Sequence, residues 1–167
     1  KIAPDKPTVV ASAGLDGTVL LWDTRDRVPT PFMKFTDVAV AGDALDISGH
    51  TVLTGSWRPT KQIQIHDMRN GETYGDVAWR RPPPVGSATT AVKARWRKVQ
   101  DAVRGSCQVY GAQFIYSGTH AGGIVAGGTG TKELKVFGAP TNDVYTPIGV
   151  YKVPSGVHGL HVNPAGT

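Results

Sequence analysis

The sequence lacks most of what would mark a secreted domain, a membrane protein or an enzyme. Among its 167 residues there is one cysteine, Cys107, so no internal disulfide can form. That scarcity fits a reducing, intracellular compartment. A lone cysteine is ordinarily a small buried apolar residue, and a nucleophile would need a paired histidine that nothing here supplies. No stretch approaches the roughly 18 apolar residues of a membrane-spanning helix. The opening KIAPDKP carries neither a methionine nor the apolar core of a signal peptide, so we expect a fragment or a processed form.

Ligand-binding signatures are missing too. GGIVAGGTGTKE, Gly122–Glu133, is rich in glycine, but a phosphate loop needs glycine beside lysine, and Thr131 separates Gly130 from Lys132. The stretch reads instead as a tight turn between two strands. GLDGT, Gly14–Thr18, has one aspartate where a calcium loop needs several oxygen ligands. The five histidines, His50, His66, His120, His158 and His161, are scattered, and the spacing of the last two puts them on opposite faces of a strand. Two histidines without a cysteine partner are not an ordinary zinc set. No Ser–His–Asp or paired-carboxylate arrangement can be argued from spacing. We expect no catalytic residue, no metal and no cofactor.

What the chain does have is glycine, 21 residues, and proline, 12. Together they suit many short strands joined by turns and do not suit a helical bundle. A repeat runs through it. VVASAGLDGTVLLWD, Val9–Asp23, is echoed 44 residues later by VLTGSWRPTKQIQIHD, Val52–Asp67, and 71 residues beyond that by IVAGGTGTKELKVFG, Ile124–Gly138. An ungapped alignment sets Val10 on Thr54, Ser12 on Ser56, Val19 on Ile63, Leu21 on Ile65, Trp22 on His66 and Asp23 on Asp67, with Phe137 in the third tryptophan place. The longer second interval exceeds the first by 27 residues, the length of Arg80–Ser106, which marks that segment as an insertion.

Each unit reads as strands. TVVASA and TVLLW flank the turn GLDG, ALDIS and TVLTGS flank the two-residue turn GH, and QIQIHD alternates with period two. VYGAQF, GIVAGG and ELKVF repeat the pattern, and weaker strands, PFMKF, ETYGDVAW and TPIGVYKV, close the units. Four strands in about 44 residues is the dimension of a β-propeller blade. The expected fold is therefore all-β: about three four-stranded blades with partial blades at both ends. The divisions are 1–37 for a first blade lacking its first strand, 38–79 for the second, 80–106 for the insertion, 107–154 for the third, and 155–167 for the start of another. A ring ordinarily needs 4–8 blades, so the remaining blades are expected from the same or another chain.

These residues resemble the WD-repeat family. Blade one matches best, with Ser12 in its second strand, Asp16 in the turn and Trp22–Asp23 closing the third strand. The resemblance implies that Ser12, Asp16 and Trp22 join a histidine from an earlier loop in a hydrogen-bonded set that stiffens the blade; that histidine would precede Lys1. Blade two carries Ser56, Thr60 and His66 in the three places, and blade three Gly127, Thr131 and Phe137. The likeness covers nearly the whole chain outside the insertion and speaks to fold, since propellers host many functions.

Two groups of residues remain as candidates for partner binding. The net charge of +5 is concentrated in the insertion, where seven basic residues (Arg80, Arg81, Lys93, Arg95, Arg97, Lys98 and Arg104) face Asp101 alone. Pro82–Pro84 makes a stiff exit. Val92, Trp96, Val99 and Val103 fall on one helical face, with Thr90 to cap its start and Gly105 its end. Trp96 and the cations would form a basic amphipathic arm gripping an acidic partner, a membrane surface or RNA. The competing reading is a decorated loop whose apolar stripe packs on its own blades. Only one patch is basic and no aromatic–basic interleaving recurs, which disfavours nucleic acid and favours an acidic protein surface such as tubulin.

The second group is Leu21-Trp22-Asp23-Thr24-Arg25, echoed by His66-Asp67-Met68-Arg69. This looks like the WDxR box of substrate receptors for cullin-RING ubiquitin ligases. That resemblance implies that Arg25 and Arg69, supported by Asp16 and Asp23, meet an adaptor. The leading expectation is a non-catalytic protein-interaction scaffold in a larger intracellular, cytoplasmic assembly, with the cytoskeleton or cilium as candidate settings. The ligase receptor is the alternative, and an RNA-associated propeller using the insertion is the third.

Overall fold

The computed structural model describes residues 1–77, 79, 107–142 and 144–163, and every regular element among them is a strand. The helix expected around Thr90–Gly105 lies outside the described residues. Twelve strands form three antiparallel sheets, each in chain order. The first holds β1 (Ile2–Ala3), β2 (Lys6–Ala13), β3 (Thr18–Asp23) and β4 (Met33–Thr36); the second, β5 (Leu45–Ser48), β6 (Thr51–Gly55), β7 (Ile63–Asp67) and β8 (Thr73–Asp76). The third holds β9 (Gln108–Phe114), β10 (Ile124–Thr129), β11 (Glu133–Phe137) and β12 (Pro147–Lys152). Ahead of β2 the first sheet carries the two-residue β1, which pairs Ile2 with Val10 and Ala3 with Lys6. The leading strands β1, β5 and β9 lie beside one another, as the inner strands of neighbouring propeller blades would.

Turn chemistry explains why the chain folds back where it does. A left-handed residue stands one or two places ahead of the third strand in every sheet: Gly17 (φ 84°), Lys61 (φ 55°) and Lys132 (φ 52°). Glycine adopts that conformation without steric penalty, whereas a lysine loses about 1 kcal/mol in it. In the first sheet the turn is tied by Asp16, whose carboxylate accepts the Thr18 N–H at 3.1 Å and the Thr18 hydroxyl at 2.9 Å.

The ladders change the alignment drawn from sequence. Opposite Trp22 stands Val10, opposite His66 stands Val52, and opposite Phe137 stands Ile124. Two residues further along each second strand come Ser12, Thr54 and Ala126. Ser12 is thus matched by Thr54 and not by Ser56, and by Ala126 and not by Gly127. The physical reason is loop length. The second-to-third-strand connection runs over 14–18 between the paired Ala13 and Val19, but over 56–62 between Gly55 and Ile63. In the third sheet it runs over 128–133 between Gly127 and Leu134, so an alignment anchored on the third strand slides the second strand by two residues in the second sheet and by one in the third.

The middle sheet is the centre of the core. All five residues of β7 are buried, and Val52, Leu53, Ile63 and Ile65 have no exposed surface. Burial of each such side chain contributes about 1.5–3 kcal/mol. Aromatic contacts bind sheet to sheet: Phe35 of β4 lies 4.5 Å from His66 of β7, and Trp79 lies 6.3 Å from Phe137 of β11. Close approach of the second and third sheets needs Gly55, since a Cβ there would sit 2.5 Å from Val109.

A buried carboxylate joins the same two sheets. Asp46 of β5 has no exposed surface. Its Oδ2 accepts the Phe114 N–H at 2.9 Å and the Tyr116 hydroxyl at 2.6 Å, and Lys1 Nζ stands 3.5 Å from Oδ1. Burial, and then the bond to Asp46, push the Tyr116 phenol above its ordinary range and keep it protonated as the donor. Tyr116→Phe should lower unfolding stability by about 1–2 kcal/mol, and Asp46→Ala by about 2–3 kcal/mol because it strands two buried donors. Urea denaturation with an unchanged slope measures both; a neutral Asp46→Ala would contradict the role given to this carboxylate.

Candidate functional site

The residues expected to stiffen the blades fall into one repeated place with changing chemistry. In the first sheet the Trp22 indole N–H donates to Ser12 Oγ at 2.8 Å, and Asp16 is spent on its own turn at Thr18. In the second sheet His66 Nε2 lies 2.9 Å from Thr54 Oγ1, and its Nδ1 lies 2.7 Å from Thr73 Oγ1. In the third the pair is Phe137 and Ala126, both buried and without polar atoms in their side chains. Ser56, expected in this set, instead accepts the Ala39 N–H at 3.3 Å, tying the second sheet to the connection that precedes it. Thr60 is exposed.

Burial costs His66 its proton affinity: desolvation pushes the imidazole from 6.5 down to about 4. The ring is neutral at physiological pH, able to donate from one nitrogen and accept at the other. Cys107 is buried too, and its thiol is pushed up to about 11 mainly by desolvation, so it is not a thiolate nucleophile near neutral pH.

Arg25 and Arg69 are each folded onto the aspartate two residues earlier. Asp23 accepts the Arg25 backbone N–H at 3.0 Å, its Nε at 2.9 Å and its Nη2 at 2.5 Å. Asp67 does the same for Arg69 at 2.8, 3.0 and 2.6 Å. These bonds, the guanidinium's first, hold each carboxylate at about 2. The sequence Asp-x-Arg explains the geometry: the carboxylate closes a local turn through the backbone N–H, which brings the guanidinium back in a bidentate fork. The third sheet has Gly138 and Ala139 after Phe137 and makes no such turn.

Strand polarity sorts the loops onto two faces. One face carries the loops that follow β3 and β7, hence Arg25 and Arg69, together with the turns after β1 and β5; Lys6 Nζ meets His50 Nδ1 there at 2.9 Å. The other face carries the second-to-third-strand turns and the connections between sheets, where Asp37 receives Arg58 and Lys61. The insertion joins β8 to β9 and so is rooted on this second face. Arg80, Arg81, Lys93, Arg95, Trp96, Arg97, Lys98 and Arg104 themselves lie outside the described residues. Their roots are firm: Trp79 and Cys107 are buried. The Lys135 ammonium donates to the Trp79 carbonyl and sits 4.8 Å from its ring centroid, while its charge also acts on Cys107. The described roots of the insertion, Trp79 and Cys107, therefore lie toward the face opposite Arg25 and Arg69.

Among the described residues no three His, Cys, Asp or Glu side chains gather as a metal would require, and no helix is long and apolar enough to cross a membrane. Sequence reading missed two features. Asp46 was visible only as a charge inside the apolar alternation of ALDIS. The rings of Trp57, Tyr110 and His158 come from three distant segments, and no local signal joins them.

No family model and no curated protein matches the chain. Among solved structures it is similar to a chain of the "Crystal Structure of Mitotic Checkpoint Complex", with a TM-score of 0.61 and 18% identity. The match covers 96% of this chain and 41% of that one, so the chain spans about two fifths of its neighbour's length. At that identity the likeness is one of fold.

The neutral His66 makes stability depend on pH in a defined direction. Its folded value lies below its unfolded one, so its contribution is complete above pH 6.5 and is lost as pH falls toward about 4. Thermal unfolding across that range should show the midpoint dropping. The double change Thr54→Ala with His66→Phe, copying the third sheet's apolar pair, should remove this part of the dependence. An unchanged pH profile in that variant would show that His66 is not its source.

Proposed function

We propose that the chain is a segment of a WD-repeat propeller acting as a non-catalytic protein-interaction scaffold. The observation that carries this reading is the separation of two loop faces by a core that fixes both. Loops held at the ends of short, buried strands present side chains at constant distances, which is how a rigid module recognises partners without chemistry. The fold likeness to a chain of the Mitotic Checkpoint Complex is with a member of a multi-protein assembly, and supports the reading at that level. The remaining blades of a closed ring would come from the same polypeptide or another one. The insertion, with its net charge of +6 rooted on one face, would suit an acidic protein surface, and a cytoskeletal or ciliary assembly with tubulin-like acidity is a setting it would fit.

A second reading is favoured by one particular arrangement. Arg25 and Arg69 repeat the same bidentate turn on the same face, as a paired docking element for a cullin-RING ligase adaptor would. Their aspartates orient them, so presentation is fixed and not dependent on a free rotamer.

Binding experiments separate these readings. The scaffold reading expects the purified protein to hold a defined partner in a complex that survives gel filtration, with binding sensitive to removal of 82–105 and fold unaffected. A chain that remains alone against acidic partner surfaces and adaptors would overturn it. The receptor reading expects purified adaptor to bind and Arg25→Glu with Arg69→Glu to abolish that binding by at least tenfold, as for oriented charge pairs at interfaces. Unchanged binding would remove it. A steep salt dependence of RNA binding that vanishes with 82–105 would favour the third alternative.

A further inference from the structure

The turn that presents Arg69 carries a reactive dipeptide. The chain has three asparagines: Asn70 precedes Gly71, Asn142 precedes Asp143, and Asn163 precedes Pro164. A backbone amide that follows asparagine can attack the side-chain carbonyl carbon, and glycine eases the approach because no Cβ crowds it. Proline has no N–H to give up, and Asp143 brings a side chain to the approach, so the chemistry favours Asn70. Asn70, Gly71 and Glu72 are all exposed in the connection between β7 and β8, and Gly71 is left-handed at φ 75°.

Both reacting groups are restrained in the fold. The Gly71 N–H donates to the Asp67 carbonyl at 3.0 Å, and the Asp67 N–H donates to the Glu72 carbonyl at 2.9 Å, closing the hairpin. One residue grips the Asn70 side chain at both ends. Asn70 Oδ1 accepts the Glu72 N–H at 3.0 Å, an Asx turn, and Asn70 Nδ2 donates to Glu72 Oε2 at 2.9 Å. The same Asp67 whose carbonyl holds Gly71 holds Arg69 through its carboxylate. The reactive pair, its restraint and the arginine therefore share one turn, 67–72.

We infer that Asn70 is a deamidation site, guarded by Glu72, whose conversion changes the charge and the shape of the turn presenting Arg69. The Gly71 nitrogen gives up its proton and bonds to Asn70 Cγ. The bond from Cγ to Nδ2 breaks, ammonia leaves, and a five-membered succinimide remains. Water then opens the ring. Attack at Cγ restores the ordinary backbone with an aspartate; attack at the Asn70 main-chain carbonyl leaves the chain running through the side chain as isoaspartate. No oxidant or reductant is needed, since the net change is one water consumed and one ammonia released. Either product puts a new carboxylate one residue from Arg69 and removes the amide that donated to Glu72. Isoaspartate also lengthens the backbone inside the turn. The modification needs no partner; only its bearing on docking rests on the reading of Arg25 and Arg69 as a paired element.

The test is peptide mapping by mass spectrometry of the full chain aged in neutral buffer at body temperature, beside a synthetic peptide of residues 67–73. Asn70 should gain one mass unit and yield isoaspartate and aspartate, while Asn142 and Asn163 stay intact over the same period. The folded chain should convert several-fold more slowly than the peptide. Glu72→Ala, which deletes the side-chain grip, should speed conversion about two- to fivefold, the worth of one exposed hydrogen bond. Glu72→Gln, which keeps an acceptor, should stay near the parent rate. In an Asn70→Asp chain the Arg69 Nε–H resonance should move and that of Arg25 should not. No conversion at Asn70, equal conversion at all three asparagines, or a rate matching the peptide's would overturn the inference. So would an unchanged rate in Glu72→Ala, equal acceleration in Glu72→Gln, or an unmoved Arg69 resonance. None of these readouts involves a partner, so failure here is distinguishable from failure of the scaffold or receptor reading.

Discussion

A sheet four strands wide has two faces and too few residues to be stable with either one open, so each sheet here depends on being covered by its neighbours. The decisive contact is made at one place in the third strand. There the ring of His66 is covered by Phe35 of the preceding sheet, and that of Phe137 by Trp79. The Phe114 amide and Tyr116 hydroxyl are satisfied by Asp46 in the same way, from one sheet to the next. Arg25 and Arg69, the described partner-binding candidates, sit on loops whose positions follow from this stacking. The middle sheet, covered on both sides, is accordingly the most deeply buried of the three, whereas β12 shows Ile148, Val150 and Tyr151 at 50%, 52% and 58% exposure.

At that shared place the geometry is kept while the chemistry is exchanged in pairs. Trp22 has a donor and meets the Ser12 hydroxyl; His66 has a donor and an acceptor and lies between Thr54 and Thr73; Phe137 has neither and meets Ala126. A buried polar atom without a partner costs about 1–3 kcal/mol, so replacing both members together is far cheaper than replacing one. The strict WD-type set is therefore one solution to a packing problem that the second and third sheets solve differently. It also explains why the residues most noticeable in the sequence, Asp16 and Trp22, have their polar atoms bound within their own sheet.

Much of the fold was legible because strands announce themselves through alternation and glycine-bearing turns. QIQIHD gave β7 and GIVAGG overlaps β10; of the weaker segments, ETYGDVAW and TPIGVYKV contain β8 and β12, and PFMKF overlaps β4. Register was not legible. The turn before β7 is two residues longer than the turn before β3, and an ungapped match anchored on Trp22 and His66 assigned Ser56 where Thr54 belongs. Contacts between distant segments were invisible for a different reason: Asp46 and Tyr116 are 70 residues apart, and nothing in either local sequence implies the other. Of the partner-binding candidates, Arg25 and Arg69 could be seen as an echo, but their lock onto Asp23 and Asp67 needed coordinates. That they and the roots of the insertion lie on opposite faces follows from strand direction, which the sequence order contained all along.

The two faces have different characters. One presents arginines already oriented by carboxylates; the other presents a cluster of aromatic rings and the roots of a strongly basic segment. What allows a single small fold to keep them distinct is the rigidity of the sheets between them. That claim can be measured by native-state amide hydrogen exchange resolved by residue. The account predicts that the amides of β6 and β7 exchange slowest and together, with those of β5 and β9 close behind and the outward strand β12 fastest. Rapid exchange in β6 and β7, or protection spread evenly over all three sheets, would contradict it.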